Sequence, residues 1–207
     1  VRALLKPAAV IEFVKKPSLH DMVARRVEFL TAYQDAAYAA QYQRFVEQVR
    51  AAEANLGGTR LTEVVARYLF KLMAYKDEYE VARLHSDRAF LDKLAAQFEG
   101  DYTLNFHLAP PLLAKTDEKG ELRKRRYGAW MLKAFGLLAR LKGLRGTAFD
   151  VFGRTEERRG ERALIGEYRA AIEELLPALD AERLPLALDI ARIPEEMRGY
   201  GHVKARH

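Results

Sequence analysis

This chain of 207 residues contains no cysteine. Disulfides, thiolate nucleophiles, cysteine-based zinc sites and cysteine-ligated iron-sulfur clusters are therefore excluded from its own chemistry. It also has no apolar run approaching the roughly 20 residues that cross a bilayer, and its N-terminus carries no secretory hydrophobic segment. A cytoplasmic protein without membrane contact is the expectation. Internal repeats and low-complexity tracts are absent too, which argues against a solenoid or a linker-like chain.

What is present has globular proportions, with 49% hydrophobic and 31% charged residues, so wholesale disorder is not indicated. The length suits one good core. A formal net charge of +6 favours acidic partners without selecting one. The first residue is Val1 and the chain stops at His207, so a piece of a longer polypeptide is expected. Residues 1–17, bracketed by Pro7 and Pro17, read as a linker or an arm from a preceding domain, and 18–207 as one helical C-terminal domain.

The apolar spacing is helical almost throughout. Ser18 fits an N-cap with Asp21 as its capping-box acid. The stripe Val23, Val27, Leu30, Tyr38, Tyr42, Phe45, Val49 predicts a long helix to about Asn55, with a kink placed near Asp35. Gly57-Gly58 ends it. Leu61, Val65, Tyr68, Leu72, Tyr75, Tyr79 and Ala82 then predict a second helix that returns against the first. Asp87 or Ser86 caps a shorter helix bearing Phe90, Leu91, Leu94 and Phe98.

From Phe98 to Leu113 the period changes to two. Tyr102, Leu104, Phe106 and Leu108 share one face of an extended segment, which Gly100 opens and Pro110-Pro111 closes. The polar stretch up to Tyr127 predicts a β-hairpin arm with its turn at Asp117 to Gly120. A helix from about Gly128 to Lys142 follows, with Trp130, Met131, Ala134, Phe135, Leu138 and Leu141 on its apolar side. The loop KGLRGTAFDVFGR is expected to tuck Phe149 and Phe152 onto the core. Thr155 caps a further helix through Ile165, Tyr168, Ile172 and Leu175, and short helical pieces cover Leu184 to Arg192 and Pro194 to Arg198. The fold class is mainly α: a helical domain with a long antiparallel helical hairpin and one short β-hairpin or extended insertion.

Few residues point to chemistry. Arg123, Lys124, Arg125 and Arg126 form the densest positive run and are a candidate partner-docking site for an acidic protein or a nucleic acid, although a solvated surface explains such a run as well. The glycines Gly143, Gly146 and Gly153 match no phosphate-binding spacing, and Gly199, Gly201 and His202 form only a lone GxGH. His20, His85, His107, His202 and His207 lie far apart without a helical metal pair. The pairs Glu156-Glu157, Glu173-Glu174 and Glu195-Glu196 are adjacent on helices and diverge, which suits surface charge better than acid/base work. No catalytic, cofactor-binding or metal-binding residue is assigned.

The blocks TAYQDAAYAAQY (Thr31 to Tyr42), LMAYKDEYEVARL (Leu72 to Leu84), FEGDYTLNFHLAPPLL (Phe98 to Leu113), LLARLKGLRGTAFDVFGRTEERR (Leu137 to Arg159) and RGYGHVK (Arg198 to Lys204) occur in this order. Together they resemble the C-terminal region of the long single-chain indolepyruvate ferredoxin oxidoreductases of bacteria, over nearly the whole chain from Ser18. The resemblance implies an oxidoreductase that decarboxylates aryl 2-oxoacids to acyl-CoA and passes electrons to ferredoxin. Thiamine pyrophosphate, magnesium and iron-sulfur clusters are implied for the whole enzyme and no cofactor for this segment. Implied partners are the catalytic domains of the same polypeptide, ferredoxin and further copies in a homo-oligomer. The expected function is a C-terminal non-catalytic module for packing, assembly or partner docking. The alternative is a stand-alone helical binding protein that engages nucleic acid or an acidic partner through its basic arm.

Overall fold

A computed structural model describes residues 17–100, 102–108 and 125–197. Among these, eight α-helices and one two-stranded sheet form in the order α1 (Leu19–Tyr33), α2 (Ala36–Glu53), α3 (Arg60–Met73), α4 (Glu78–Ser86), α5 (Arg88–Ala95), β1 (Phe106–Leu108), β2 (Arg125–Tyr127), α6 (Met131–Arg140), α7 (Glu156–Leu175) and α8 (Leu184–Arg192). The mainly helical class holds. The strands are antiparallel, with Phe106 opposite Tyr127, His107 opposite Arg126 and Leu108 opposite Arg125.

Capping chemistry sets most boundaries. Ser18 Oγ accepts from the Asp21 amide at 3.1 Å, and the Asp21 carboxylate accepts from the Ser18 amide at 3.3 Å, completing the expected capping box. Thr155 accepts from the Arg158 amide and starts α7 as expected. Two aspartates go further than periodicity indicated. Asp35 is extended and accepts from the Tyr38 amide at 2.7 Å, so the long first helix is two helices, α1 and α2. Asp77 does the same for the Glu80 amide at 2.8 Å, and the second expected helix is likewise divided into α3 and α4. The heptad-like spacing runs across both breaks because each cap changes the chain direction while keeping the tyrosines on either side against the core.

The α2–α3 hairpin is closed by an unusual cap. Gly57 takes the left-handed conformation that only glycine adopts freely, turning the chain after α2. Thr59, the residue preceding α3, makes no side-chain cap. Instead the buried Glu53 carboxylate at the end of α2 accepts from the Leu61 amide, the Thr62 amide and the Thr62 hydroxyl at 2.8, 2.8 and 2.7 Å. An acid at a helix N-terminus also meets the positive end of its dipole.

The main core lies between α1, α2, α3, α7 and α8 and is rich in tyrosine, including Tyr33, Tyr42 and Tyr168. Buried Tyr42, Tyr168 and Tyr33 donate to Ala66 O, Ala191 O and Tyr75 O, and the half-buried Tyr38 to Met73 O, all at 2.9 to 3.0 Å. The last two supply donors where α3 ends. A smaller cluster joins α4, α6 and β1 through Ala82, Phe106, Met131 and Phe135. The Phe106 and Phe135 rings meet edge to face at 5.3 Å, and His85 lies against both.

Several apolar residues are placed differently from expectation. Phe106 is buried and Leu104 and Leu108 pack beside it, but Tyr102 is exposed and stacks on Phe98. Residues 109–113 of that segment lie outside the described residues. Phe90 and Phe98 are exposed, so the α5 stripe does not join a core. Trp130 and Leu141 face outward, because α6 meets α4 and β1 through Met131, Phe135 and Leu138. In the loop before α7 only Phe152 tucks in, against Tyr79 at 5.3 Å, while Phe149 is 75% exposed.

Three outcomes follow from this packing. Phe106→Ala is expected to cost about 3 kcal/mol in denaturant unfolding, since it empties the centre of the smaller cluster. Glu53→Ala is expected to cost about 3 kcal/mol as well, because it strands buried donors and not merely a surface charge; loss under about 1 kcal/mol would mean water reaches that site. Burial raises the phenols of Tyr33, Tyr38, Tyr42, Tyr75 and Tyr168 above their ordinary value of 10.0. Those phenols stay protonated in the folded chain while the unfolded chain ionises, so their contribution is complete below pH 10 and is lost progressively above it. Tyrosinate absorbance should therefore appear together with loss of helical circular dichroism above pH 10; a full titration near 10 in the folded protein contradicts the burial.

Candidate functional site

The basic run is only partly within view: Arg123 and Lys124 lie outside the described residues, whereas Arg125 and Arg126 stand exposed on β2. Arg126 Nε donates to Asn105 Oδ1 at 2.9 Å, which fixes its guanidinium beside the residue preceding β1. His107 is exposed on the strand opposite Arg126. Tyr127, the end of β2, packs on the smaller core cluster and meets the Trp130 ring edge to face at 6.1 Å. The strand is thereby anchored through its tyrosine while its arginines remain at the surface.

Elsewhere in the fold, where the turn after α6 meets the end of α1 and the start of α4, is a buried polar junction that spacing did not reveal. The Asp77 carboxylate accepts from Arg145 Nε at 2.5 Å and Nη2 at 2.9 Å, in the forked geometry that suits guanidinium and carboxylate. Arg145 Nη1 donates to Tyr33 O at 2.7 Å, and the guanidinium lies 3.7 Å from the Tyr33 ring centroid. Burial alone would lower the pKa of Arg145. The hydrogen bonds to Asp77 together with the charge interactions with Tyr33, Asp77 and Tyr75 outweigh it and hold the pKa above the ordinary arginine range. One residue turn earlier, Lys142 Nζ donates to Ala32 O at 2.6 Å. The last turn of α1 contains no basic residue of its own, so Lys142 and Arg145 supply the cations that its carbonyl end favours.

Two further acids in the first turn of α4 are paired. Glu80 forks onto Arg83 with both contacts at 2.7 Å. Glu78 meets Arg158 Nη2 at 3.4 Å, and Arg158 Nη1 also reaches Glu161 on α7 at 2.6 Å. Next to them Asp150 organises the loop: its carboxylate accepts from the Gly146 amide at 2.7 Å, the Gly153 amide at 2.9 Å and the Tyr79 hydroxyl at 3.3 Å. A methyl group on Gly153 would overlap that carboxylate. Burial first, and the Asp150 charge second, push the Tyr79 phenol up to about 12. Asp77, Asp150 and Arg145 are all below 5% exposed. At that burial they act on one another as a latch.

Between α3 and α8 lies a cleft of about 460 Å³ lined by Arg60, Glu63, Arg67, Tyr68, Arg192 and Glu195 among others. Guanidiniums and carboxylates alternate there, so the cleft presents no field of one sign. Among the described residues no group of three or more His, Asp or Glu is placed to hold a metal. No helix among them is long and apolar enough to cross a membrane.

The blocks Thr31–Tyr42, Leu72–Leu84 and Leu137–Arg159 therefore meet in space. They contribute Tyr33, Asp77, Arg145 and Asp150 to one sealed junction. Residues 19–207 match the DUF6537 family, a family of unknown function, and the chain belongs to it. No curated protein and no solved structure matches the chain. Arg145→Met is expected to cost about 3 to 5 kcal/mol, since it leaves the Asp77 carboxylate buried without its partner. Arg145→Met combined with Asp77→Leu should cost less than Arg145→Met and Asp77→Leu added together, as read from a double-mutant cycle of denaturant midpoints; strict additivity would mean the two side chains do not act as a pair.

Proposed function

We propose that this DUF6537 member is a non-catalytic helical module of an indolepyruvate ferredoxin oxidoreductase, serving packing, assembly or partner docking in that enzyme. One observation supports the reading above others. Three of the five blocks on which the resemblance rests, Thr31–Tyr42, Leu72–Leu84 and Leu137–Arg159, converge on the Asp77–Arg145 junction, where Asp77, Arg145 and the Tyr33 carbonyl meet one another. Residues that build a latch specify a scaffold. Arg125 and Arg126, exposed on β2, are available to partners.

In this reading the oxidative decarboxylation of aryl 2-oxoacids, with thiamine pyrophosphate, magnesium and clusters, belongs to domains elsewhere in the parent polypeptide. Arg123, Lys124, Arg125 and Arg126 act by summed charge, raising the association rate of an acidic ferredoxin without demanding a fixed contact geometry. Such steering weakens as salt shortens the Debye length to about 8 Å at physiological ionic strength.

The test is made in the parent oxidoreductase. Arg123→Glu with Arg125→Glu should raise the apparent KM for ferredoxin at low salt, lose that effect at high salt, and leave the kinetics for indolepyruvate unchanged. Unaltered ferredoxin kinetics at low salt would remove the docking role from this run. The 207-residue chain alone should reduce no ferredoxin with indolepyruvate and CoA; turnover by the isolated chain would overturn the non-catalytic reading.

A further inference from the structure

Positive charge is unevenly spread along the chain. From Leu122 to Phe149 there are eight Lys and Arg and no Asp or Glu, in a chain whose formal total is +6, so the remaining residues sum to −2. Two of the eight are engaged inside the fold, Arg145 with Asp77 and Lys142 with the carbonyls ending α1. Arg125, Arg126, Lys133 and Arg140 are exposed.

The same stretch carries an apolar stripe that is exposed among the described residues. Met131 and Phe135 turn α6 toward α4. At 3.6 residues per turn, positions 130, 137 and 141 fall along one line on the other side, about 16 Å long at 1.5 Å per residue. Trp130, Leu137 and Leu141 are 61%, 64% and 42% exposed. Lys133 and Arg140 run along one edge of that line, and the contact of Trp130 with Tyr127 continues it to the arginines of β2.

We propose that this outer face of α6 binds a protein that presents an acidic surface around an apolar centre. Trp130, Leu137 and Leu141 enter the centre, while Lys133, Arg140, Arg125 and Arg126 meet carboxylates at the rim. Exposed tryptophan framed by arginine is the composition of an interface core with a charged margin. A second copy of the chain is disfavoured, because a symmetric contact would set this basic face against itself. Nucleic acid is bound through phosphate tracks and stacking platforms, and Leu137 and Leu141 in the middle of the face offer bases no ring. An anionic lipid surface calls for a helix whose broad apolar side is free, whereas that side of α6 is packed on α4 and β1.

This deepens the docking role proposed above and rests on it only for the choice of ferredoxin as a probe. The full 207-residue chain is titrated at low salt with ferredoxin, an amphipathic peptide of Leu and Glu, duplex DNA and phosphatidylserine vesicles. Leu137→Ser, and Lys133→Glu combined with Arg140→Glu, alter only exposed positions; Leu186→Ser, an exposed residue on α8, is the control. Binding of ferredoxin and the peptide should weaken at least ten-fold in the first two variants and stay unchanged in Leu186→Ser, with thermal melting unaltered in all. If the peptide binds through this face and ferredoxin does not, the surface stands and the ferredoxin-docking role falls. The proposal is overturned if neither acidic probe binds, if the α6 variants bind them as well as the unaltered chain, or if only DNA or only vesicles bind.

Discussion

The buried pair of Asp77 and Arg145 is the constraint on which the rest of the arrangement depends. Asp77 ends the link after α3, caps α4 and neutralises Arg145; Arg145 in turn closes the carbonyl end of α1. A charge taken out of water is tolerated only where its partner and the remaining hydrogen bonds are in place. The pair therefore couples three parts of the chain that no hydrophobic stripe alone would hold in one orientation. It also lies where the tyrosine-rich core of α1, α2, α3, α7 and α8 adjoins the smaller cluster of α4, α6 and β1.

Arginine is distributed by task. Arg83, Arg145 and Arg158 each serve an acid in or just before the first turn of α4, coming from that helix itself, from the loop after α6 and from α7. These fixed guanidiniums reinforce the positive end of the α4 dipole only through their acids, which face it directly. Among the described residues Arg125, Arg126 and Arg140 pair with no acid and stay at the surface. The distinction separates charge that makes the fold from charge that is free to meet another molecule.

Much of the architecture was legible in the residue pattern. Ser18 with Asp21, Gly57 and Thr155 announce their boundaries through local chemistry that needs no tertiary context. The breaks at Asp35 and Asp77 were harder to see, since an aspartate on a helix face and an aspartate at a cap look alike until the partner donors are known. The helical spacing of Trp130 and Leu141 points them inward, yet α6 already fills its contact with α4 through Met131 and Phe135. Arg145 and Asp77 are 68 residues apart, and no periodic pattern joins charges across such a distance. Of the docking run, Arg125 and Arg126 could be read as exposed from composition, while the acid-free stretch around them becomes meaningful only with α6 in place.

The cap that Glu53 provides for α3 also bears on the order in which the molecule assembles. Its hydrogen bonds span only eight and nine residues, so the loop that must close is short and its entropy small. The α2–α3 hairpin can thus nucleate while the chain is still emerging from the ribosome. Residue 145 arrives much later. During that interval the end of α1 and the start of α4 lack their guanidinium, leaving a half-made molecule whose early hairpin is sound and whose joint to the smaller cluster is still open. The gap in synthesis between Thr62 and Arg145 is therefore an interval in which the emerging chain holds a closed hairpin and not a random coil.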